Sequence, residues 1–127
     1  MADVNRGNRP LSPHLTIYRP QLNSITSIFV RITGNGLMVG AIAVVWWLMA
    51  AASGGAYYNV IDGLITSVLG DIVMALSVLA LWYHALGGVR HLIWDTGRGL
   101  DVAMSDKLGW AMIVGSVVLT ALTLIAI

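Results

Sequence analysis

Three stretches of the chain carry no charge: Ile32 to Val60, Ile72 to Val89 and Leu108 to Ile127. A helix that crosses a bilayer needs about 20 mostly apolar residues, within a range of roughly 17 to 25. The second stretch is at the short end. Gly63 to Gly70 is uncharged as well, and only Asp71 interrupts, so that helix is expected to start before Asp71. The pattern predicts three transmembrane helices, at about residues 30–53, 64–91 and 107–127. Each is apolar nearly all round, as a membrane span is. The expected fold class is an all-α membrane protein. Residues 1–29 form an N-terminal segment outside the membrane, and residues 30–127 form one three-helix anchor domain. Three such helices bury little among themselves, so the chain is expected to join a hetero-oligomeric helix bundle. Gly34, Gly36 and Gly40 lie on the first helix, the last two as G-x-x-x-G, and small residues of this kind serve close helix packing.

Composition agrees: of 127 residues, 57% are hydrophobic and 10% charged, where soluble domains average about 25% charged. A net charge of +1 gives no reason to expect a nucleic-acid partner. The chain has no cysteine, which excludes a disulfide, an iron–sulfur cluster and a thiolate-ligated metal. The seven Lys and Arg residues fix an orientation. Arg6, Arg9, Arg19 and Arg31 precede or open the first helix, and Arg90, Arg98 and Lys107 lie around the loop between the second and third. The positive-inside rule then puts the N-terminus and the 90–107 loop in the cytoplasm, or in the matrix of an organelle. Trp94 and Trp110 flank that inner loop, and Trp46, Trp47, Tyr57 and Tyr58 stand near the outer face, as interfacial aromatic belts do. The leader MADVNRGNRPLSPHLTIYRPQ, with three prolines and no apolar run, is expected to be mostly extended or a broken surface segment, and not a signal peptide.

The chemistry concentrates in LWYHALGGVRHLIWD, Leu81 to Asp95. On a helix, His84, Gly88, His91 and Asp95 fall at i, i+4, i+7 and i+11, on one face. A histidine followed one turn later by glycine offers an imidazole to a metal and a bare backbone to a flat macrocycle, with Gly87 expected to widen the gap. Neutral imidazole is a usual axial ligand of haem iron. The other reading is a buried polar residue hydrogen-bonded to a neighbouring helix. For His91 an interfacial role is favoured over ligation. His84 lies about 9 Å inside the membrane from Arg90, so propionates of a haem held there would meet Arg31, Arg90 and His91 near the inner surface. His84 and His91 stand about 10 Å apart along one side of one helix. They cannot grip one iron from opposite sides, and His14 is in the leader. A six-coordinate haem would therefore take its second ligand from another chain.

A second polar group opens the first helix, SITSIFVRITG, Ser24 to Gly34. Ser27 and Arg31 are one turn apart. Arg31 either snorkels to the surface or forms with Ser27 a polar corner for the carbonyl oxygen of a lipid-soluble quinone, or for a carboxylate. Asp62 and Asp71, near the outer face, have no evident partner in the sequence.

Taken together, these residues resemble the cytochrome b membrane-anchor subunits of succinate dehydrogenase, the large anchor chain of respiratory complex II. The resemblance runs from Arg9 to Ile127 on three motifs in order: RPLSPHLTIYRP, SITSIFVRITG and HALGGVRHLIWD. It implies haem b with His84 as one axial ligand and a histidine of the small anchor subunit as the other. It implies a ubiquinone pocket made by Ser27 and Arg31 and lined by Ile28, shared with a tryptophan and a histidine of the iron–sulfur subunit and a tyrosine of the small anchor. His91 and Asp95 match positions near the propionates and the inner surface. The flavoprotein subunit completes the implied set of partners. The implied location is the bacterial cytoplasmic (inner) membrane, multi-pass, or the mitochondrial inner membrane if the chain is organellar. One departure stands out: the family commonly has histidine where this chain has Val30, which removes one propionate donor.

The resemblance implies a chain that holds haem and helps reduce quinone with electrons from succinate, but cannot oxidise succinate alone. Three alternatives remain. A structural anchor without redox role would not need His84, Ser27 and Arg31. A transporter or channel subunit would need a polar stripe through the membrane centre, where helices one and three offer only Thr, Ser and Gly. A fumarate reductase anchor would carry the same residues.

Overall fold

The computed structural model describes residues 18–126, and among them every regular element is helical. Four helices follow in order: α1 Leu22–Ser53, α2 Gly55–Ile65, α3 Val68–Asp95 and α4 Val102–Ala126. Helices α1, α3 and α4 are long and apolar enough to cross a membrane. At 11 residues, α2 reaches only about 16 Å and is too short to do so.

The boundaries differ from the sequence expectation in an instructive way. The expected spans followed the uncharged stretches, but the helices run past them. Helix α1 starts at Leu22, eight residues ahead of the expected span, so Ser27 and Ile28 are helical. Its polar first turns are held by hydrogen bonds from Arg90 on α3. Helix α3 starts at Val68, where the Ser67 hydroxyl accepts the Gly70 N–H at 3.1 Å as an N-cap. Helix α4 starts at Val102, where Asp101 Oδ1 accepts the Met104 N–H at 2.9 Å. The expected outer loop is mostly α2. Gly54 and Gly55, both at φ 68°, turn the chain sharply out of α1 in a conformation that residues with a side chain rarely adopt.

Helix α3 is the centre of the bundle, packing on α1 along one side and α4 along another. The buried positions are mainly small or polar: Thr26, Ala50, Ser105 and Ser116, together with Arg90. Large apolar residues face outward along every span, from Ile32 and Met38 to Ile125. This inverts a soluble core. Lipid is as apolar as leucine, so small residues and polar contacts, not greasy ones, distinguish the inside. The G-x-x-x-G of α1 is not a close contact within this chain. A Cβ on Gly36 would meet nothing within 4 Å, and one on Gly40 would only touch Ser77 Oγ at 3.5 Å.

At the far end from Arg90 an aromatic group ties α2 to α1. Trp46 Nε1 donates to the Tyr57 hydroxyl at 2.6 Å. Trp47 Nε1 and the Tyr58 hydroxyl both donate to Asp62 Oδ1, at 3.0 and 3.1 Å. Asp62 thus has partners that the sequence did not reveal. The hydrogen bond to its carboxylate, reinforced by the negative charge, raises the Tyr58 pKa above the usual phenol value. Asp71 is exposed in the first turn of α3, where the helix dipole favours an anion.

Candidate functional site

His84 lies on the exposed side of α3 and leans on α1. Its Nδ1 is 2.9 Å from the carbonyl oxygen of Val30. A carbonyl can only accept, so Nδ1 carries the proton. The lone pair is left on Nε2, the state a metal ligand requires. The ring rests where Gly34 has no side chain: a Cβ there would come within 2.9 Å of His84 Cε1. One imidazole is therefore oriented by a backbone carbonyl and seated on a glycine of the neighbouring helix. Backbone carbonyls play this orienting part for metal-bound histidines in general.

Around His84 the face stays open. Gly88, one turn on, has nothing within 4 Å of where a Cβ would be. Toward the α2 end, a cavity of about 380 Å³ lies in the groove between α1 and α3, lined by Leu37, Gly40, Ala41, Val44, Ser77 and Leu81 among others. An oriented nitrogen ligand, a bare glycine beside it and an apolar groove along the same seam fit the needs of haem b. Among the described residues no group of three or more His, Cys, Asp or Glu could hold a metal by itself. A single histidine facing a macrocycle that brings its own four nitrogens needs none.

Gly87 does not widen this opening. It is buried, and a Cβ on it would stand 2.6 Å from Val30 Cγ2. Val30 thus serves twice, its side chain filling the notch at Gly87 and its carbonyl orienting His84.

Ser27, Val30, Arg31 and Gly34 fall at i, i+3, i+4 and i+7 on α1, on one face. Because Val30 and Gly34 touch His84, the Ser27–Arg31 corner flanks the same seam. Ser27 is half-buried and Arg31 exposed. Ile28 is 54% exposed. On α3, His91 and Asp95 are both exposed. His91 meets Trp94 edge-on, with ring centroids 5.1 Å apart at 83°. The structure thus brings Ser27, Arg31 and His84 to one seam and leaves His91 and Asp95 along the same helix face as His84. His14 and most of the RPLSPHLTIYRP motif lie outside the described residues.

Arg90 departs from the expectation. It does not reach out to the His84 face but is 4% exposed, turned about 120° away around α3. Its Nη1 donates to Thr26 Oγ1 at 2.8 Å. Its Nη2 donates to Asn23 Oδ1 and, at 3.1 Å each, to the carbonyl and hydroxyl oxygens of Ser105. The guanidinium lies 4.3 Å from the ring centroid of Trp94. A propionate role for Arg90 is thereby removed, leaving Arg31 and His91 as the candidates. The signal in the sequence was Asn23 and Thr26, polar residues three apart at a helix start, which need a buried donor when that face is packed.

Residues 5–123 match the family of succinate dehydrogenase/fumarate reductase transmembrane subunits. The chain is 52% identical over 125 residues to the succinate dehydrogenase cytochrome b556 subunit of Paracoccus denitrificans, covering 98% of this chain and 96% of that one. It is 40% identical over 114 residues to the succinate dehydrogenase cytochrome b556 subunit of Rickettsia conorii, across 90% of this chain and 89% of that one. It is also 37% identical over 123 residues to the succinate dehydrogenase cytochrome b560 subunit of the plant Marchantia polymorpha, covering 93% and 90%.

Proposed function

The chain belongs to the succinate dehydrogenase/fumarate reductase transmembrane subunit family, and from that premise we propose that it holds haem b and forms one wall of a quinone site. Its coarser role follows from the family: it is a membrane-anchor subunit of an oxidoreductase complex. In the finer reading, His84, through Nε2, would hold the haem iron together with a histidine of a small anchor subunit. When bound, haem b supplies a one-electron couple inside the membrane. The observation that carries this reading is the His84 contact with Val30, which leaves Nε2 without a partner among the described residues, on an exposed face of α3.

At the inner end of the same seam, Ser27 donates a hydrogen bond to a quinone carbonyl. Arg31 places a fixed positive charge beside that oxygen and stabilises the negative charge that grows there during reduction, before protons arrive. A charge held in place costs no reorganisation at the moment of reaction. Ile28 supplies apolar contact to the ring. Flavoprotein and iron–sulfur subunits deliver the electrons from succinate, because this cysteine-free chain has no cluster ligands. The positive-inside bias supports an orientation with the N-terminus and the Arg98 loop on the cytoplasmic side of a bacterial inner membrane, or on the matrix side in an organelle.

The test uses the assembled complex. Arg31→Ala should lower kcat/KM for a short-chain quinone by about 100-fold, the usual loss on removing one such donor, and Ser27→Ala by less. Transfer from succinate to a soluble dye reports the electron-delivering subunits separately. Equal loss of dye and quinone turnover would show that these residues serve assembly and not the quinone.

A further inference from the structure

Arg90 is a buried cation that neither the haem nor the quinone reading uses. Its ties join three helices: Asn23 and Thr26 on α1, Trp94 beside it on α3, and Ser105 on α4. The Ser105 hydroxyl also donates to Asn23 Oδ1 at 3.0 Å, closing a ring of contacts. The Tyr83 hydroxyl adds a bond to the Thr26 carbonyl at 3.2 Å.

What this cluster holds is the start of α1. Thr26 directly precedes Ser27, and Asn23 is one turn before it. Beyond this point the described α1–α3 contacts are glycine against side chain, Gly87 on Val30 and Gly34 on His84, with one hydrogen bond from His84 to the Val30 backbone carbonyl. The glycine contacts let helices approach, and a bond to a main-chain carbonyl, which points along the helix axis, does less to fix rotation than bonds to side chains. Directional hydrogen bonds do fix it. A turn of α1 by one residue, about 100°, would carry Ser27 and Arg31 off the seam. Arg90 also keeps one donor, Nε, buried without a partner among the described residues. Buried polar groups are costly and are often replaceable by apolar packing without loss of stability, so an arginine kept for cohesion alone would be poorly chosen.

We propose that Arg90 is the positioning residue of the quinone corner. Through Asn23 and Thr26 it sets the rotation of α1 that presents Ser27 and Arg31. This rests on the quinone reading above. Arg90 touches neither quinone nor haem in this account and acts through α1.

The experiment compares Thr26→Val and Arg90→Lys with Arg31→Ala, each in the complex assembled with its partner subunits. Thr26→Val keeps the side-chain shape and removes the hydroxyl that Arg90 grips. Arg90→Lys keeps the charge but cannot span all its acceptors. Thr26→Val should raise KM for a short-chain quinone about three- to tenfold and Arg90→Lys more, since misplacement of about 1 Å can cost up to about 100-fold. The haem α-band and succinate-to-dye turnover should stay at wild-type level, a split that a merely structural role would not produce. An unchanged quinone KM in assembled Thr26→Val, or equal loss of dye and quinone turnover, overturns the proposal. If Arg90→Lys fails to assemble, Thr26→Val decides. If Arg31→Ala raises KM while the other two do not, the positioning role alone fails. If Arg31→Ala leaves KM unchanged, the quinone reading fails and the positioning role with it.

Discussion

Gly87 and Gly88 are neighbours in sequence and opposites in surroundings. A Cβ on Gly87 would collide with Val30 of α1, whereas one on Gly88 would meet open space. The same contrast separates Arg90 from His91: the first is buried with partners on three helices, the second exposed beside Trp94. One side of α3 is finished within the chain. The other carries an oriented imidazole, a bare glycine and an apolar groove that the described residues do not fill. A polar side chain with its partners present explains itself by structure. One prepared by neighbours but left facing outward asks for a group the chain lacks.

The largest effect expected from breaking this contrast is at the open side. Gly88→Leu adds bulk where the chain has none to oppose it, so the complex should assemble at normal yield. Its haem-to-protein ratio should fall by about tenfold or more, the scale on which supporting contacts set occupancy of a metal site. Normal haem content would place the macrocycle elsewhere.

Gly34→Ala is the next largest. Its methyl would press on His84 Cε1 and push the ring off the Val30 carbonyl. The haem α-band should broaden or shift, and haem should be lost on dilution faster than from wild type. An unaltered spectrum would mean that the ring seat does not matter.

Gly87→Ala should invert the pattern of Gly88→Leu. Forcing a methyl into a filled contact costs about 1–3 kcal/mol, so thermal stability of the complex should drop while haem content of the surviving material stays close to normal. Loss of haem without loss of stability would dissolve the distinction between the two sides.

The smallest effect lies at the far end, where the contrast predicts structure alone. The hydrogen bond to Asp62 raises the Tyr58 pKa, so the neutral phenol is the form the fold favours. Its contribution is complete below the ordinary phenol pKa and is lost as pH rises through the raised value. Asp62→Asn should bring the Tyr58 titration, followed by phenolate absorbance against Tyr58→Phe, down toward the ordinary value without change in quinone kinetics.

The sequence revealed the open side better than the closed one. His84, Gly88, His91 and Asp95 share a helix face by spacing alone, and uncharged stretches mark the three spans. The spans' true ends are not legible in the uncharged stretches, because the start of α1 and the start of α4 are tied to Arg90 through Thr26 and Ser105, contacts between distant parts of the chain, with a local Asp101 cap at α4. Helix α2 is hidden in the sequence for a similar reason: nothing near Asp62 in the chain indicates that Trp47 of α1 reaches it, alongside Tyr58. By sequence, Arg90 is a charge at the inner end of a span, expected near the membrane surface. Nothing in its own neighbourhood of sequence says that it points to Asn23, Thr26 and Ser105 instead. Gly34 looked like any packing glycine, and only the position of the His84 ring distinguishes it from Gly36.

The central claim is that His84 binds haem iron through Nε2. The direct test is a dithionite-reduced minus oxidised optical spectrum of the complex, purified with its neighbouring membrane subunit, for wild type and for His84→Ala at matched protein. The account predicts a sharp b-type α-band in wild type that is absent from the variant. A band that survives unchanged in His84→Ala would contradict it and move the ligand to another residue.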